Sequence, residues 1–305
     1  MPAIDSREIH LVSRPKGRPT ADDFDLALVR LEPPRDGQVL VRNRFISVDP
    51  YMRGRMNDAK SYVPPFKLNA PLEGGAIGEV VESRAAGIKA SDVVVSNLGW
   101  REYFVAAPQE MRVVDRPVQP LSVHLGTLGM TGMTAWAGLR LAEVQAGETV
   151  YISGAAGAVG NVAGQLARIY GCRTIGSAGS AEKVAFLRAE CGFDAAFNYR
   201  EGAIDEQLQK AAPEGIDVYF DNVGGEALEA ALSSLRLHGR IIACGAISTY
   251  NNEKPGPGPS NMFNFITKRL TMKGMIVRDW QDRQAEFEKE AGGYFLAGKL
   301  KNHET

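Results

Sequence analysis

The sequence predicts an α/β protein of two domains, a β-rich domain followed by a doubly wound parallel sheet. The chain has 305 residues, and beyond about 250–300 residues a single hydrophobic core tends to divide. Short β-rich runs separated by Pro and Gly fill the region before Leu121, and strands alternate with helices after it. We expect domains at residues 1–121 and 122–290, with 291–305 as an apparently incomplete return toward the first domain.

The first domain is predicted to be a compact, barrel-like β structure. Residues 38–46 and 76–81 are rich in aliphatic and β-branched side chains, and turn-forming residues lie between such runs. Many short strands with turn residues between them are typical of small β-barrels.

The second domain alternates apolar runs with helical patterns. The predicted strands are residues 149–153, 173–176, 195–199, 216–221, 240–244 and 270–277. The predicted helices are residues 122–144, 161–170, 181–190, 203–211, 227–235 and 286–297. Several of the strands are apolar through their length, which indicates a parallel sheet with helices on both faces.

Residues 250–260 contain three prolines and two glycines. This composition excludes a helix or a central strand. We expect a loop that follows a strand of the sheet, where open α/β sheets bind their ligands. The loop is either a lid over such a ligand or a plain solvent-exposed connection.

Charge and cysteine content exclude several classes of protein. Lys and Arg total 35 against 36 Asp and Glu. Because the charges are balanced, the composition does not indicate a nucleic acid or a membrane as partner. Cys172, Cys191 and Cys244 show no paired spacing, which is typical of small buried side chains in a reducing compartment. No apolar run approaches the ~20 residues of a membrane helix. We expect a cytoplasmic protein.

The most informative motif is a small-residue turn, GAAGAVG, at residues 154–160. It follows a predicted strand and opens a predicted helix, a setting in which backbone N–H groups and the helix dipole bind a pyrophosphate. Ala155 stands where the dinucleotide fingerprint usually has its first glycine. Gly157 and Gly160 keep the positions for close approach to the pyrophosphate and for helix packing, so the turn predicts a dinucleotide site.

The next predicted strand favours NADPH over NADH. An NAD site has an acidic residue about 20 positions beyond the turn, which binds the ribose hydroxyls. Here the strand ends without an acid, and Lys183 follows in the next helix with Ser177 and Ser180 nearby. These side chains offer a charge and hydroxyl donors to a 2′-phosphate. The alternative is that Lys183 is an ordinary surface lysine.

Five motifs together resemble one family. They are VDPYMR at 48–53, GMTGMTAW at 129–136, AAGAVG at 155–160, DNVGG at 221–225 and CGAISTYN at 244–251. The chain resembles the zinc-independent medium-chain dehydrogenase/reductases, in the branch of leukotriene/prostaglandin and curcumin reductases. The resemblance implies a GroES-like domain, a Rossmann domain that binds NADPH, an active site in the cleft between them, and a homodimer.

The resemblance also implies contacts to the cofactor. The pyrophosphate would be held by Gly157, Ala158, Val159 and Gly160. Lys183 and Tyr199 would hold the 2′-phosphate region, and Met130 and Thr131 could reach the nicotinamide amide. The remaining implied contacts follow the sheet edge toward the nicotinamide: Asn222, Cys244, Gly245, Ala246, Ile247, Ser248, Tyr250, Met275, Ile276 and Val277.

No metal site can be assembled from the sequence. The first 120 residues contain no cysteine, and Gly74 stands where zinc alcohol dehydrogenases carry a ligand histidine. The four histidines show no ligand spacing. We therefore expect a metal-free enzyme.

The chemistry that such an enzyme performs most easily is reduction of a carbon–carbon double bond conjugated to a carbonyl. Hydride addition at the β-carbon leaves an enolate, which hydrogen bonds can stabilise. Tyr250 is the candidate to orient the enolate oxygen and assist protonation, and Tyr51 is expected to line the cleft. The alternatives are tyrosines that only pack, a quinone reductase, or a non-catalytic NADPH-binding protein.

Overall fold

The computed structural model describes residues 3–254 and 256–304. The chain divides into two compact units, with the boundary between Leu125 and Gly126. Each unit has its own sheets and its own buried clusters. The predicted combination of an antiparallel β domain with a parallel α/β domain is confirmed.

The first unit consists of two antiparallel sheets, ordered β2-β1-β4 and β7-β3-β5-β6-β8. Its strands are β1 Ile4–Leu11, β2 Phe24–Leu31, β3 Val39–Ile46, β4 Ala70–Pro71, β5 Ala76–Ser83, β6 Val93–Ser96, β7 Tyr103–Ala106 and β8 Met111–Val113. A short helix, α1 Tyr51–Arg55, and three 3-10 turns connect them. The runs predicted at 38–46 and 76–81 are β3 and β5.

Two apolar clusters fill the first unit. One consists of side chains from the five-stranded sheet: Val39, Val41, Val80, Val94, Phe104 and Ala106. The other joins β1 to α1 and the segment after it: Leu11, Met52, Met56, Phe66 and Leu72. Each large apolar side chain buried in this way contributes about 1.5–3 kcal/mol to stability.

The second unit is a six-stranded parallel sheet in the order β11-β10-β9-β12-β13-β14. Its strands are β9 Thr149–Ile152, β10 Arg173–Ala178, β11 Ala195–Asn198, β12 Ile216–Asp221, β13 Leu235–Ala243 and β14 Thr271–Gly274. Its helices are α2 Met130–Leu141, α3 Ala158–Ile169, α4 Ala181–Ala189, α5 Ile204–Ala211, α6 Gly225–Ser234, α7 Asn264–Lys268 and α8 Gln284–Leu296. The strand order reverses between β9 and β12, and ligands of doubly wound sheets bind at such a point.

Side-chain alternation along β9 shows how both faces of this sheet are covered. Val150 and Ile152 belong to the cluster that packs α2, α3 and α8 on one face. Tyr151 points to the opposite face, where it stacks between Phe197 and Tyr219. Burial on both faces explains why the strands are apolar throughout.

Several predicted elements have different bounds in the structure. The helix expected at 122–144 is a 3-10 turn, Leu121–His124, followed by α2, because Gly129 adopts an extended conformation that starts the helix only at Met130. The strand expected at 270–277 ends at Gly274. β13 begins at Leu235 rather than at residue 240, because Leu235 leaves the helical conformation as soon as α6 ends.

The carboxyl-terminal residues pack within the second unit. α8 runs through the domain limit predicted at residue 290, and Leu300 is buried in the same cluster as Phe287. Lys301 N–H donates to Gln165 Oε1 at 2.8 Å. Residues 291–304 are therefore part of this unit rather than a separate segment.

The Pro- and Gly-rich stretch is a loop, as predicted, at residues 250–254 and 256–260, and Pro255 lies outside the described residues. Its far end is fixed by the Asn261 side chain, which donates to Glu229 O at 2.8 Å. Among residues 3–254 and 256–304, no helix has the length and apolar character needed to cross a membrane.

Candidate cofactor and active site

The glycine turn joins β9 to α3 and requires glycine at two positions. Gly154 has a φ of +58°, a conformation that favours glycine. A Cβ on Gly160 would overlap the carbonyl oxygen of Gly154 and lie 2.7 Å from Ala155 Cα. These close approaches bring the start of α3 directly onto the end of β9.

Ala155 fits the turn because the left-handed conformation falls on Gly154. Its N–H donates to Ser177 O at 2.9 Å, and its methyl group is fully buried against β10. A Cβ on Gly176 would lie only 2.8 Å from this methyl group. The alanine therefore fills a space that Gly176 leaves open.

The first turn of α3 is accessible to a ligand. Gly157 is the N-cap residue and has no side chain to cap the helix, and Gly157 and Ala158 are both exposed. The first N–H groups of a helix have no partner within it and carry partial positive charge. Residues 157–160, which are predicted to bind the pyrophosphate, thus lie at the accessible N-terminus of this helix.

The residues predicted to hold the adenosine phosphate lie together at the ends of β10 and β11. Tyr199 N–H donates to Ala178 O at 3.1 Å, and the Tyr199 hydroxyl would be 2.8 Å from a Cβ on Gly179. Ser180 caps α4 by accepting a hydrogen bond from the backbone N–H of Lys183 at 3.3 Å. Lys183 is exposed in the first turn of that helix.

The prediction that Ser177 offers its hydroxyl to this phosphate is wrong. β10 continues to Ala178, so Ser177 lies inside the sheet, 3% exposed. Its hydroxyl is hydrogen-bonded to the Tyr151 hydroxyl at 2.9 Å. The side chain therefore belongs to the core.

Arg200 is a second cation at this end that the sequence patterns did not indicate. Its guanidinium lies 5.7 Å from the centre of the Tyr199 ring, and the side chain is exposed. A guanidinium binds phosphate oxygens in a bidentate manner. The available signal was its position directly after Tyr199, at the end of β11.

At the point where the strand order reverses, the residues after β12 form a short loop, here called the β12 loop (residues 222–224). The Asn222 side-chain amide donates to Ser153 O at 2.8 Å, and its backbone N–H donates to Ser153 Oγ at 3.1 Å. Asn222 is half-buried beside the glycine turn. The predicted cofactor residue is thus held rigidly against the end of β9.

The segment after β13, here called the β13 loop (residues 244–250), is bonded to the β12 loop. Cys244 and Gly245 donate their N–H groups to Asp221 O at 2.9 and 3.0 Å. Ile247 N–H donates to Asn222 O at 3.2 Å. The predicted residues 244–248 therefore follow the carboxyl edge of the sheet.

Tyr250 reaches back over this same loop. Its hydroxyl accepts a hydrogen bond from Ala246 N–H at 3.2 Å, and the ring is half-buried. Because the hydroxyl accepts this bond, its own proton is available to another acceptor. The Tyr250 side chain is thus a fixed hydrogen-bond donor beside the predicted cofactor residues.

The Cys244 thiol at this edge is neutral at ordinary pH. Burial, together with the nearby Asp221 carboxylate, raises the pKa of Cys244 to about 12. A nucleophilic cysteine needs a lowered pKa. Cys244 therefore contributes backbone and shape rather than a reactive thiolate.

The residues predicted to contact the nicotinamide differ in how far their side chains are exposed to solvent. Met275 N–H donates to Ala243 O at 3.2 Å, so its backbone borders the end of β13, whereas its side chain is buried in the core. Thr131 is buried and donates to Gly126 O at 3.0 Å. Met130 is 38% exposed at the start of α2.

Tyr51 lies in the first unit at the start of α1. It packs partly on the cluster that contains Leu11 and Met52. Burial and the nearby Asp49 carboxyl raise the pKa of Tyr51 to about 12. Its hydroxyl therefore remains a protonated donor.

Within the described ranges, no group of three or more His, Cys, Asp or Glu side chains is arranged to hold a metal ion. His10 is hydrogen-bonded to Glu8 Oε2 at 3.0 Å. His124 Nε2 accepts the N–H of Val118 at 3.0 Å.

Comparison with known proteins identifies the family. Residues 7–114 match a family described as the N-terminal domain of oxidoreductase, and residues 158–291 match one described as zinc-binding dehydrogenase. The chain is 39% identical over 305 residues to the NADP(+)-dependent 2-alkenal reductase of Nicotiana tabacum, covering 97% of this chain and 88% of the relative. The chain belongs to the medium-chain dehydrogenase/reductase family.

Two further similarities concern this medium-chain reductase along nearly its whole length. It is 38% identical over 297 residues to the NADPH-dependent curcumin reductase of Escherichia coli K12, covering 95% of this chain and 86% of the relative. The crystal structure of CurA with NADPH from Vibrio vulnificus has a TM-score of 0.92 at 37% identity, covering 98% of this chain and 90% of that chain.

These similarities confirm the predicted family, its GroES-like and Rossmann folds and the NADPH cofactor. The medium-chain reductase is an NADP-dependent oxidoreductase that acts on a small-molecule substrate.

Proposed function

We propose that this reductase reduces the carbon–carbon double bond of α,β-unsaturated aldehydes and ketones, with hydride added at the β-carbon. The observation that carries the proposal is the Tyr250 hydroxyl, which accepts the Ala246 N–H at the carboxyl edge of the sheet, so this bond does not use the proton of the hydroxyl. Relatives named 2-alkenal reductase and curcumin reductase support the same substrate class.

The residues present fit NADPH, which supplies the hydride when bound. The close approach of Gly160 to Gly154 brings the first turn of α3, where Gly157 and Ala158 are exposed, directly to the end of β9. We propose that this turn holds the pyrophosphate through residues 157–160. Three side chains predicted from the sequence and one found in the structure would hold the 2′-phosphate: Ser180, Lys183, Tyr199 and Arg200.

The other predicted contacts would line the remainder of the cofactor site. We propose that Asn222 and residues 244–248 follow the cofactor along the sheet edge. Met130, Thr131 and the backbone of 275–277 would border the nicotinamide end.

We propose that Tyr250 stabilises the enolate that the β-addition leaves. A phenol that donates to the enolate oxygen lowers the charge there and delivers or relays the proton that completes the reduction. Removing a comparable donor in known oxyanion sites costs about 3 kcal/mol. Tyr51, which stays protonated because its pKa is raised to about 12, is proposed as a second substrate contact.

NADPH consumption with four substrate types tests the proposal. An enal, an enone, a quinone and a saturated ketone are compared at equal concentrations, each with NADPH and with NADH. We expect turnover with the enal and the enone. Turnover with the quinone alone would instead show a quinone reductase, and tight NADPH binding without turnover would show a binding protein.

We further propose that the enzyme is a cytoplasmic homodimer, as the family resemblance implies. Two-fold dimers are the commonest symmetric assembly. Light scattering coupled to size exclusion measures the mass directly, and a mass of one chain would contradict the dimer.

A further inference from the structure

Asp221 is a buried carboxylate at the end of β12, only 2% exposed. Its Oδ1 accepts hydrogen bonds from Gly224 N–H at 2.7 Å, the Tyr219 hydroxyl at 2.8 Å and Val223 N–H at 2.9 Å, with the Ser153 hydroxyl at 3.4 Å. All four donors are neutral, and burial raises the pKa of the carboxyl. A buried charge is by itself weak evidence that a residue stabilises the fold. The groups that the Asp221 carboxylate orients are therefore more informative about its role.

The hydrogen bonds of this carboxylate connect it to the β12 loop and, through that loop, to the β13 loop. Its two backbone bonds fix Val223 and Gly224 of the β12 loop. Val223 O in turn accepts Ser248 N–H at 3.2 Å and the Ser248 hydroxyl at 2.6 Å. One carboxylate oxygen is thus bonded to the β12 loop, and the β12 loop is bonded to the β13 loop.

The same chain of contacts reaches Tyr250. Asp221 O holds Cys244 and Gly245, and the next residue, Ala246, donates its N–H to the Tyr250 hydroxyl. A shift of the β12 loop would therefore move the donor on which the Tyr250 hydroxyl rests.

We propose that Asp221 is a positioning residue: its carboxylate, oriented by Tyr219 and Ser153, locks the β12 and β13 loops in the arrangement that receives the cofactor and places Tyr250. The proposal requires NADPH at this edge of the sheet. It does not depend on which substrate is reduced.

Asp221→Asn tests the proposal, because it keeps the size of the side chain and removes the charge. The variable is the dissociation constant of NADPH, measured by fluorescence titration without substrate. We expect it to rise about tenfold, the equivalent of one lost charge-assisted hydrogen bond. We also expect kcat with an enone to fall beyond the change in KM, since Tyr250 moves as well.

Asp217→Asn is the matched control, because Asp217 lies on the same strand at the opposite edge of the sheet. It accepts Thr149 N–H at 2.8 Å and is paired with Arg236. This variant should lower the melting temperature and leave the NADPH dissociation constant within twofold of wild type. An equal loss of NADPH affinity in both variants would overturn the proposal, because it would reduce Asp221 to a stability residue.

Tyr219→Phe decides the matter if Asp221→Asn does not fold. It keeps the ring that stacks on Tyr151 at 5.0 Å and removes only the hydroxyl that orients the carboxylate. We expect NADPH affinity to fall about threefold, less than in Asp221→Asn, because the charge and the hydrogen bonds from Val223 and Gly224 remain. Wild-type affinity in this variant, or in a folded Asp221→Asn, would refute the positioning role. Failure of enone reduction alone would contradict only the proposed function, since the binding measurement needs no substrate.

Discussion

The two ends of the candidate cofactor site are built differently. At the adenosine phosphate end, beyond β10 and β11, the side chains of Lys183, Tyr199 and Arg200 are exposed. The other end is the switch point, where the strand order reverses between β9 and β12. There Ser153 and Asp221 are buried and hydrogen-bonded to each other and to neighbouring backbone groups. The first end can change its side chains without disturbing the core, whereas the second end cannot.

The difference separates two kinds of specificity. Exposed cations that recognise a phosphate contribute through charge, and each adds independently of the fold. A buried network fixes positions, so one change propagates through several hydrogen bonds. We therefore expect cofactor choice to be altered at the first end and catalytic geometry at the second.

The largest effect on activity is expected for Tyr250→Phe. This variant removes the hydroxyl that is hydrogen-bonded to Ala246 N–H at the switch point. Loss of an enolate donor should lower kcat by about 10²–10³-fold. NADPH affinity should stay within about threefold, because only the neutral bond from Ala246 N–H to the hydroxyl is lost. Steady-state kinetics with an enone and a separate NADPH titration give both values. Full turnover by the variant would remove Tyr250 from the mechanism.

Gly160→Ala should come next, because the turn between the two ends has no space for a methyl group. The added Cβ would overlap Gly154 O, and overpacking of this kind costs about 1–3 kcal/mol. We expect a lower melting temperature and weaker NADPH binding, measured by thermal denaturation and titration.

Gly293→Ala is the control for that variant, since it is also a helical glycine but has open space around its Cβ position. It should be neutral or stabilising by up to about 1 kcal/mol. Equal losses in the two variants would contradict the steric explanation.

The turn and the fold could be predicted from sequence because their determinants are local. The positions of Gly154, Gly157 and Gly160 and the alternation of apolar segments are visible along the chain. Ser177 was misassigned because β10 extends two residues beyond the predicted end, which moves that hydroxyl into the core. The role proposed for Asp221 could not be predicted because it depends on burial of the carboxylate and on the tertiary contact to Ser153, 68 residues away in sequence.

At the exposed end, Lys183→Ala and Arg200→Ala should each weaken NADPH binding about fivefold and leave NADH binding unchanged. Each removes a cation from the phosphate region, and exposed pairs of this kind contribute about 1 kcal/mol or less. Titration with NADPH and with NADH shows for each residue whether its side chain contacts the 2′-phosphate. Equal losses for NADPH and NADH would show that the side chain does not contact the 2′-phosphate.

The smallest effect should be the reaction of the native thiols with electrophiles. Burial raises the pKa of Cys172 to about 11 and those of Cys191 and Cys244 to about 12. At pH 8 the thiolate fraction of Cys172 is then about one in a thousand, and the thiolate is the nucleophile. We expect negligible modification of the native enzyme by a thiol reagent or an enal over minutes, and complete modification after unfolding in denaturant.

The raised pKa of Cys244 matters for the proposed chemistry, because the proposed substrates react with thiolates. An α,β-unsaturated carbonyl alkylates thiolates at the same β-carbon that receives hydride, so a substrate bound near Cys244 would inactivate an enzyme whose thiol was ionised. Raising the pH from 8 to 10 should increase the rate of alkylation by up to about a hundredfold, because the thiolate fraction rises tenfold per pH unit below the pKa. Mass spectrometry of the native protein after incubation with an enal measures the rate. Rapid, stoichiometric alkylation of Cys244 at pH 7 would show that burial at the switch point does not keep this sulfur neutral.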